Sequence, residues 1–329
     1  MKRAAVTVAI GIIFATSIVV RSQAPTPPQV IPHDPAWAFP ITEKQLAPEE
    51  PTPKSVPNST KTYLPKEIDD LQNAVDWFPS EHPPAPMIVQ KGHGDALACG
   101  VCHLMHGLGH PESAAVAGFT AKYITQQLAD FKSGVRKDLG GRMNTIANAL
   151  SDQELRDSAD WFASLKPATF TMVKESATVP KTFVGGGRMR FKLETGGTEP
   201  IANRIVTVPD DQDRVRRRDP HSGFTAYVPP GSIARGRALA TTGGNGKTIA
   251  CATCHGEGLR GLGNVPHLAG LHPIYIARQL YLFKDGTRHG VDAELMKKPV
   301  AKLTDGDILA LSAYIASLPP ADTSSSASH

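Results

Sequence analysis

The sequence predicts an all-α molecule built from two tandem copies of one helical domain, with an N-terminal export segment, a proline-rich tether and a non-repeated insert between the copies. Three observations predict it. All four cysteines of the 329-residue chain fall in two CxxCH motifs, Cys99–Cys102–His103 and Cys251–Cys254–His255. A shift of 152 residues lays one motif on the other and also sets Gly109, Gly118, Tyr123, Ile124, Gln127, Leu128, Phe131, Lys132, Gly134 and Arg136 on Gly261, Gly270, Tyr275, Ile276, Gln279, Leu280, Phe283, Lys284, Gly286 and Arg288. Finally, Tyr123/Ile124, Gln127/Leu128 and Phe131 recur at i, i+3, i+4 and i+7, the spacing of one helix face. A period this long is duplication of a whole domain, not a solenoid repeat.

Each element can be justified in order. Residues 1–24 begin with Lys2 and Arg3, then run uncharged and largely apolar from Ala4 to Val20 before Arg21. That is an export signal or, uncleaved, a single-span anchor with its start in the cytoplasm. The expected location is therefore the periplasm or the outer face of the cytoplasmic membrane. Residues 25–85 form a tether. Pro25 to Pro57 holds ten prolines and reads as a semi-rigid extended segment. Leu64 to Phe78 reads as one amphipathic helix, with Pro65 in its first turn and Ile68, Leu71, Val75 and Phe78 on one face.

Copy one is placed at residues 86–167 and copy two at 230–320. One extra residue in the second copy moves the register to 153, where Met143 matches Met296, Leu150 matches Leu303 and Trp161 falls on Tyr314. Ser151 to Glu154 is a capping box for the last helix of copy one, and Thr304 to Asp307 opens its counterpart. Between the copies, residues 168–229 lack the repeat. Short β-branched and alternating runs there suggest one or two hairpins or an irregular connector. Residues 321–329 read as a disordered tail.

Composition narrows the function classes. The net charge of +4 is spread along the chain, and its densest run, Arg214 to Arg218, is flanked by Asp211, Asp213 and Asp219. That reads as a solvated surface segment, and nucleic acid is not an expected partner. Only 6% of residues are aromatic, so the core needs some other large planar filler.

The CxxCH motifs supply one. Two thiols at this spacing can each add to one vinyl group of a porphyrin, and the adjacent histidine then lies under the iron. A zinc ribbon would bring its two pairs within about 15–20 residues of each other. A thioredoxin-like dithiol would sit in a βαβ surround. The pairs here are far apart and their surround is helical. The expected cofactors are two covalently bound haem c groups, held by Cys99, Cys102, Cys251 and Cys254, with His103 and His255 as axial iron ligands.

At these residues the chain resembles the tandem diheme class I cytochromes c, of the cytochrome c4 type. The likeness is carried by ACGVCH and MNTIANALSDQELRDSADWFASL in the first half. In the second half it is carried by ACATCHGEGLRGLGNVPHLAG, QLYLFKDGTRHG and MKKPVAKLTDGDILALSAYIASL. It covers the two repeats, about half the chain, and implies two tandem class I cytochrome c domains. It also implies His/Met ligation, with the methionine on a loop before the last helix. Met143 and Met296 fit as axial iron ligands, being the only methionines matched between the copies. In the family a proline carbonyl orients the axial histidine. Pro266 fits that role in copy two; in copy one the matched residue is Ala114 and the nearest proline is Pro111. Met105, His106, His110, His267, His272 and His289 have no matched partners and read as bystanders, mostly on surfaces and loops. One of the histidines replacing Met143 is the minor alternative.

The implied function is outer-sphere electron transfer between respiratory redox partners, without catalysis. The donor is expected to be a dehydrogenase or quinol-oxidising complex, the acceptor an oxidase or reductase. Two alternatives stay open: a cytochrome subunit of a membrane dehydrogenase complex, and a diheme peroxidase-like enzyme. Lys297 and Lys298 are candidates for a charged rim beside the second site.

Overall fold

The computed structural model describes residues 33–320. The export segment, the first part of the tether and the tail at 321–329 lie outside the described residues. Among the described residues, no helix is long and apolar enough to cross a membrane.

Copy one consists of α2 (Met87–Gln90), α3 (Cys99–His103), α4 (Ala121–Ser133), α5 (Arg142–Ala149) and α6 (Asp152–Ser164), preceded by a single turn, α1 (Pro65–Ile68). Copy two consists of α8 (Ser232–Thr242), α9 (Ala252–His255), α10 (Pro273–Lys284), α11 (Glu294–Val300) and α12 (Asp305–Ser317). Their ends follow from local chemistry. The Thr120 side chain accepts from the Tyr123 amide to start α4, and left-handed Gly134 closes it. Pro273 stands in the first turn of α10. Both capping boxes form: Ser151 and Glu154 exchange hydrogen bonds at α6, as Thr304 and Asp307 do at α12. Buried Phe131, Trp161, Phe162, Leu280, Ile308 and Leu311 fill the shared core. Each such side chain contributes about 1.5–3 kcal/mol by leaving water.

The copies differ at their first helix. Residues 232–242 form α8, but the matching residues 80–90 carry Pro83, Pro84 and Pro86 and give only the turn α2. Proline removes amide donors and clashes with the preceding turn. The Trp161 indole N–H instead bonds the Pro83 carbonyl at 3.1 Å, tying the non-helical segment to α6.

Four expectations need correction. First, the predicted helix over residues 64–78 is only α1. The Asp70 carboxylate takes the Gln72 amide at 2.7 Å and the Asn73 side chain at 2.6 Å. This local bond competes with helix formation. Downstream backbone pairs with copy one instead: the Ala74 amide bonds the Gln90 carbonyl and the Gly92 amide bonds that of Gln72. Val75, Trp77 and Phe78 then bury on both sides of an extended chain, with Val56 and Ile68, while Leu71 stays exposed.

Second, the described part of the proline-rich segment is a packed strap rather than a free tether. Ala38 and Phe39 are buried, the Phe39 ring lies 6.1 Å from Tyr281, and Arg278 donates to the Ala38 carbonyl. Third, the molecule is not all-α. The insert holds β1 (Thr171–Glu175), β2 (Thr178–Pro180), β3 (Thr182–Val184), β4 (Arg190–Lys192), β5 (Thr198–Pro200), β6 (Val206–Pro209), α7 (Gln212–Arg216) and β7 (Phe224–Val228). β7 pairs parallel with β1 and antiparallel with β6, while β2–β5 and β3–β4 form antiparallel pairs. The parallel pair joins strands some fifty residues apart, which no local hairpin signal reveals. One face of this sheet packs Ala226 and Val228, on the central strand β7, against Ile274, Leu309 and Ala313 of copy two. Phe170, Val215 and Phe224 pack on Leu104 and Leu108 of copy one.

Fourth, the arginine run is not a solvated face. Arg214 bonds Asp219 at 2.6 Å, Arg217 lies 3.6 Å from Glu49, and Arg218 turns inward, where burial pushes its pKa down.

Candidate cofactor sites

Each CxxCH motif forms one helical turn, so its cysteines and histidine fan out around a common axis. The loop that follows has the same backbone in both copies, bond for bond. The Gly109 amide reaches the His103 carbonyl at 2.9 Å, and Gly261 reaches that of His255 at 2.8 Å. Val116 to Gly107 at 2.7 Å repeats as Leu268 to Leu259 at 2.8 Å. The isolated bridge His110–Ser113 repeats as Leu262–Val265. Directly after the motif the chain needs a positive φ: Gly256 has φ 74° and ψ 171°, but copy one places Leu104 there at φ 61° and ψ 159°. A non-glycine residue in this region costs about 1–3 kcal/mol. Burial of the Leu104 side chain against Leu108, Phe170 and Phe224 offsets it.

The loops orient the histidines. His103 Nδ1–H donates to the Ala114 carbonyl at 2.8 Å, and His255 Nδ1–H donates to the Pro266 carbonyl at 2.8 Å. Each bond leaves Nε2 as the lone-pair nitrogen. Pro111, the expected carbonyl of copy one, does not serve; Ala114 at the matched position does, because the acceptor is backbone and needs no particular side chain. Burial keeps both imidazoles toward the neutral form.

Around His103 lies a deep cavity lined by Cys99, Cys102 and Met143, with apolar walls from Phe119, Ile124, Leu128, Phe131, Ile146 and Phe162. Met143 is the second residue of α5 and Met296 the third of α11, so both ride short helices rather than a loop. The Asp138 carboxylate accepts the Arg142 and Met143 amides at 3.0 and 3.2 Å and holds the start of α5. In copy two, His255 is buried, Cys251 is half-buried, Cys254 is exposed and Met296 packs on the core. Burial pushes the Cys99 thiol up to about 12 and Cys251 up to about 11. A redox-active pair needs the opposite shift, toward thiolate.

The two copies meet through residues that the repeat had matched without assigning them a role. Arg136 donates to Gln127 at 2.8 Å, to Tyr275 OH at 3.2 Å and to Gln279 at 3.2 Å. Arg288 returns the pattern, to Gln279 at 2.7 Å, Tyr123 OH at 3.1 Å and Gln127 at 2.6 Å. Each guanidinium stacks at 4.4 Å on its own copy's phenylalanine, Phe131 or Phe283. The contact is therefore self-complementary, like an isologous dimer interface. It buries two cations, each 7% exposed, on neutral hydrogen-bond partners. Buried cations call for anions, and Arg136, Gln127, Tyr123, Tyr275 and Gln279 also line the cavity beside His103. A haem fits this chamber: thiols and imidazole at one side, thioether available, apolar walls, and guanidinium donors for its two propionates.

The unmatched side chains are mostly not on the surface. Met105 is core, and His110, His267 and His272 are largely enclosed; only His289 is exposed. His272 donates from Nε2 to the Leu108 carbonyl at 2.9 Å and accepts at Nδ1 from Thr171 at 2.7 Å, pinning both copies to the insert. Lys297 pairs with Glu294 at 2.8 Å.

Comparison with known proteins gives consistent results. The family model described as Cytochrome c matches residues 233–319. Cytochrome c4 of Pseudomonas aeruginosa is 28% identical over 232 residues, covering 69% of this chain and 87% of that protein. The thiosulfate dehydrogenase electron acceptor of Thiomonas intermedia is 28% identical over 241 residues, covering 71% of this chain and 85% of that protein. Cytochrome c-554(548) of Halomonas halodenitrificans is 35% identical over 75 residues, covering 22% of this chain and 90% of that protein.

Proposed function

Because this chain belongs to the c-type cytochromes, as a diheme, cytochrome c4-like electron carrier with two covalent haem c groups, we propose how its own residues hold and couple them. Cys99 and Cys102 carry the first haem and Cys251 and Cys254 the second, each through two thioethers. His103 and Met143 would ligate the iron of the first haem, and His255 and Met296 that of the second. Ala114 and Pro266 orient the histidines through their carbonyls. When bound, each haem supplies reversible one-electron chemistry at an iron whose potential His/Met ligation raises. Full coordination leaves no open position for peroxide, which disfavours the peroxidase-like reading. The cytochrome domains occupy residues 86–167 and 230–320, joined by the insert at 168–229 and preceded by the proline-rich segment at 25–85, whose described part packs on copy two.

The observation that carries this reading is the reciprocal Arg136–Arg288 contact. It gives both copies the same buried guanidinium edge and sets those edges face to face. Each arginine would offer directed N–H donors to a propionate of its own copy's haem, and the contact joins the two copies at that edge. Phe119, Ile124 and Phe162 keep water from the first haem face.

A second reading places the carrier beside a dehydrogenase. The relative that accepts electrons from thiosulfate dehydrogenase supports this, as do the strap and insert, which add surface beyond the two repeats. Residues 1–24, as a cleaved export signal or as an anchor through residues 4–20, would put that partnership on the periplasmic side.

Near-infrared magnetic circular dichroism of the oxidised holoprotein tests the ligands. Two-haem intensity in the methionine–iron charge-transfer band is expected, falling by half in Met143→Ala and in Met296→Ala. Full intensity in either variant overturns that pair.

A further inference from the structure

Three side chains that haem binding does not use converge beside the first motif. Glu81 lies in the segment before copy one, His106 three residues past His103, and His221 in the insert. Glu81 Oε2 stands 2.9 Å from His106 Nε2 and 2.8 Å from His221 Nε2. All three atoms lie within 4.8 Å of one another. We propose that Glu81, His106 and His221 form a binding site for one divalent transition-metal ion of the zinc class, distinct from the haem sites.

The geometry suits such an ion. Tetrahedral zinc with bonds of about 2.0–2.1 Å to nitrogen sets ligand atoms roughly 3.3 Å apart. Each histidine–glutamate separation needs to open by only about half an ångström. The donor set of two imidazoles and one carboxylate selects a borderline metal over calcium or magnesium, which require oxygen ligands. The rings are held in place beforehand. Phe78 stacks on His221 with centroids 4.0 Å apart and meets His106 edge-on at 6.5 Å. The Glu81 amide bonds the Phe78 carbonyl at 3.0 Å.

The proton inventory also closes. Each histidine now presents an Nε2 proton to one carboxylate oxygen. Metal binding requires those lone pairs to be free. On binding, the ion replaces both Nε2–H···Oε2 bonds, and each imidazole keeps its one proton on Nδ1; His106 Nδ1 has no hydrogen-bond partner among the described residues, so a proton there displaces none. Burial opposes ionisation of Glu81, but the hydrogen bonds from His106 and His221 outweigh it and hold the carboxyl below its usual range. The Glu81 side chain is 41% exposed and that of His221 is 36%, so water reaches the remaining coordination position. Copy two has Gly258 where copy one has His106 and Ile233 where copy one has Glu81, and His221 lies in the insert. Among the described residues the site therefore occurs once, and a bound ion would clamp the N-terminal segment and the insert over the loop of the first haem motif.

Equilibrium dialysis of the haem-loaded full-length protein against zinc, with metals counted by atomic emission, tests this. One zinc per two irons is expected. Glu81→Gln, His106→Gln and His221→Gln should each weaken binding by roughly tenfold or more, and His93→Gln, at a surface pair with Glu154, should not. Zinc should also raise the unfolding temperature of the wild type but not of the three variants. Unchanged Soret spectra in chelator show that the variants fold. Absence of stoichiometric zinc in the wild type, or wild-type affinity in the three variants, overturns the site and leaves the haem assignment untouched.

Discussion

His272 shows how one side chain can hold three parts of the chain and make them pH-sensitive. In the neutral form both ring nitrogens are satisfied, with Nε2–H on the Leu108 carbonyl and Nδ1 accepting from the Thr171 hydroxyl. Burial pushes its pKa down to about 4, against 6.5 for the free side chain. The unfolded chain therefore takes up a proton at a pH where the folded chain does not. The stabilisation is complete above pH 6.5 and is lost as pH falls from there through 4, to a total of about 3 kcal/mol. Melting temperatures measured across this range should fall toward acid more steeply in the wild type than in His272→Gln; equal slopes would remove His272 from the account. This role was not legible in the sequence. His272 has no counterpart in copy one, and its hydrogen-bond partners lie 164 and 101 residues away. The orientation of the ligand histidines was partly legible. The Pro266 carbonyl follows from the family pattern, but in copy one the acceptor is Ala114 and not the nearest proline, Pro111, because only the backbone position matters.

At the scale of elements, capping boxes, helix stripes and proline breaks read through because each depends on residues within a turn or two. The 64–78 segment failed for the same reason. Its apolar spacing fits a helix, but Asp70 offers the backbone a competing bond and the neighbouring Ala74–Gln90 and Gly92–Gln72 pairings come from farther along the chain. The packing of α8 on α12 depends on a single missing side chain. A Cβ on Gly236 would overlap the Ala310 carbonyl, and that backbone atom cannot move without distorting α12. Gly236→Ala should therefore destabilise by about 1–3 kcal/mol, despite the better helix propensity of alanine. Denaturant unfolding followed by far-UV circular dichroism would measure it, and a stabilised variant would show that the helices can part at no cost.

Across the whole molecule, the two copies share a core, the insert sheet packs on both, and the strap crosses copy two through Phe39 and Arg278. Few cuts through the structure avoid these contacts, so the halves should not melt separately. Calorimetry of the holoprotein should give one transition with equal van't Hoff and calorimetric enthalpies. Two resolved transitions would mean that the Arg136–Arg288 contact and the insert couple the copies too weakly to act as one cooperative unit.

The sequence by itself determined the duplication, the two CxxCH motifs and the matched methionines. These are patterns of residue identity at fixed spacing, and covalent chemistry needs nothing else. It also contained Tyr123, Gln127, Arg136 and their counterparts as matched positions, without indicating that they face each other. Tertiary structure alone decided that pairing, the parallel β1–β7 contact, the folding of the strap onto copy two and the meeting of Glu81, His106 and His221. Each joins residues tens to hundreds of positions apart, where burial and hydrogen-bond satisfaction act across the fold and local periodicity carries no trace of the partner.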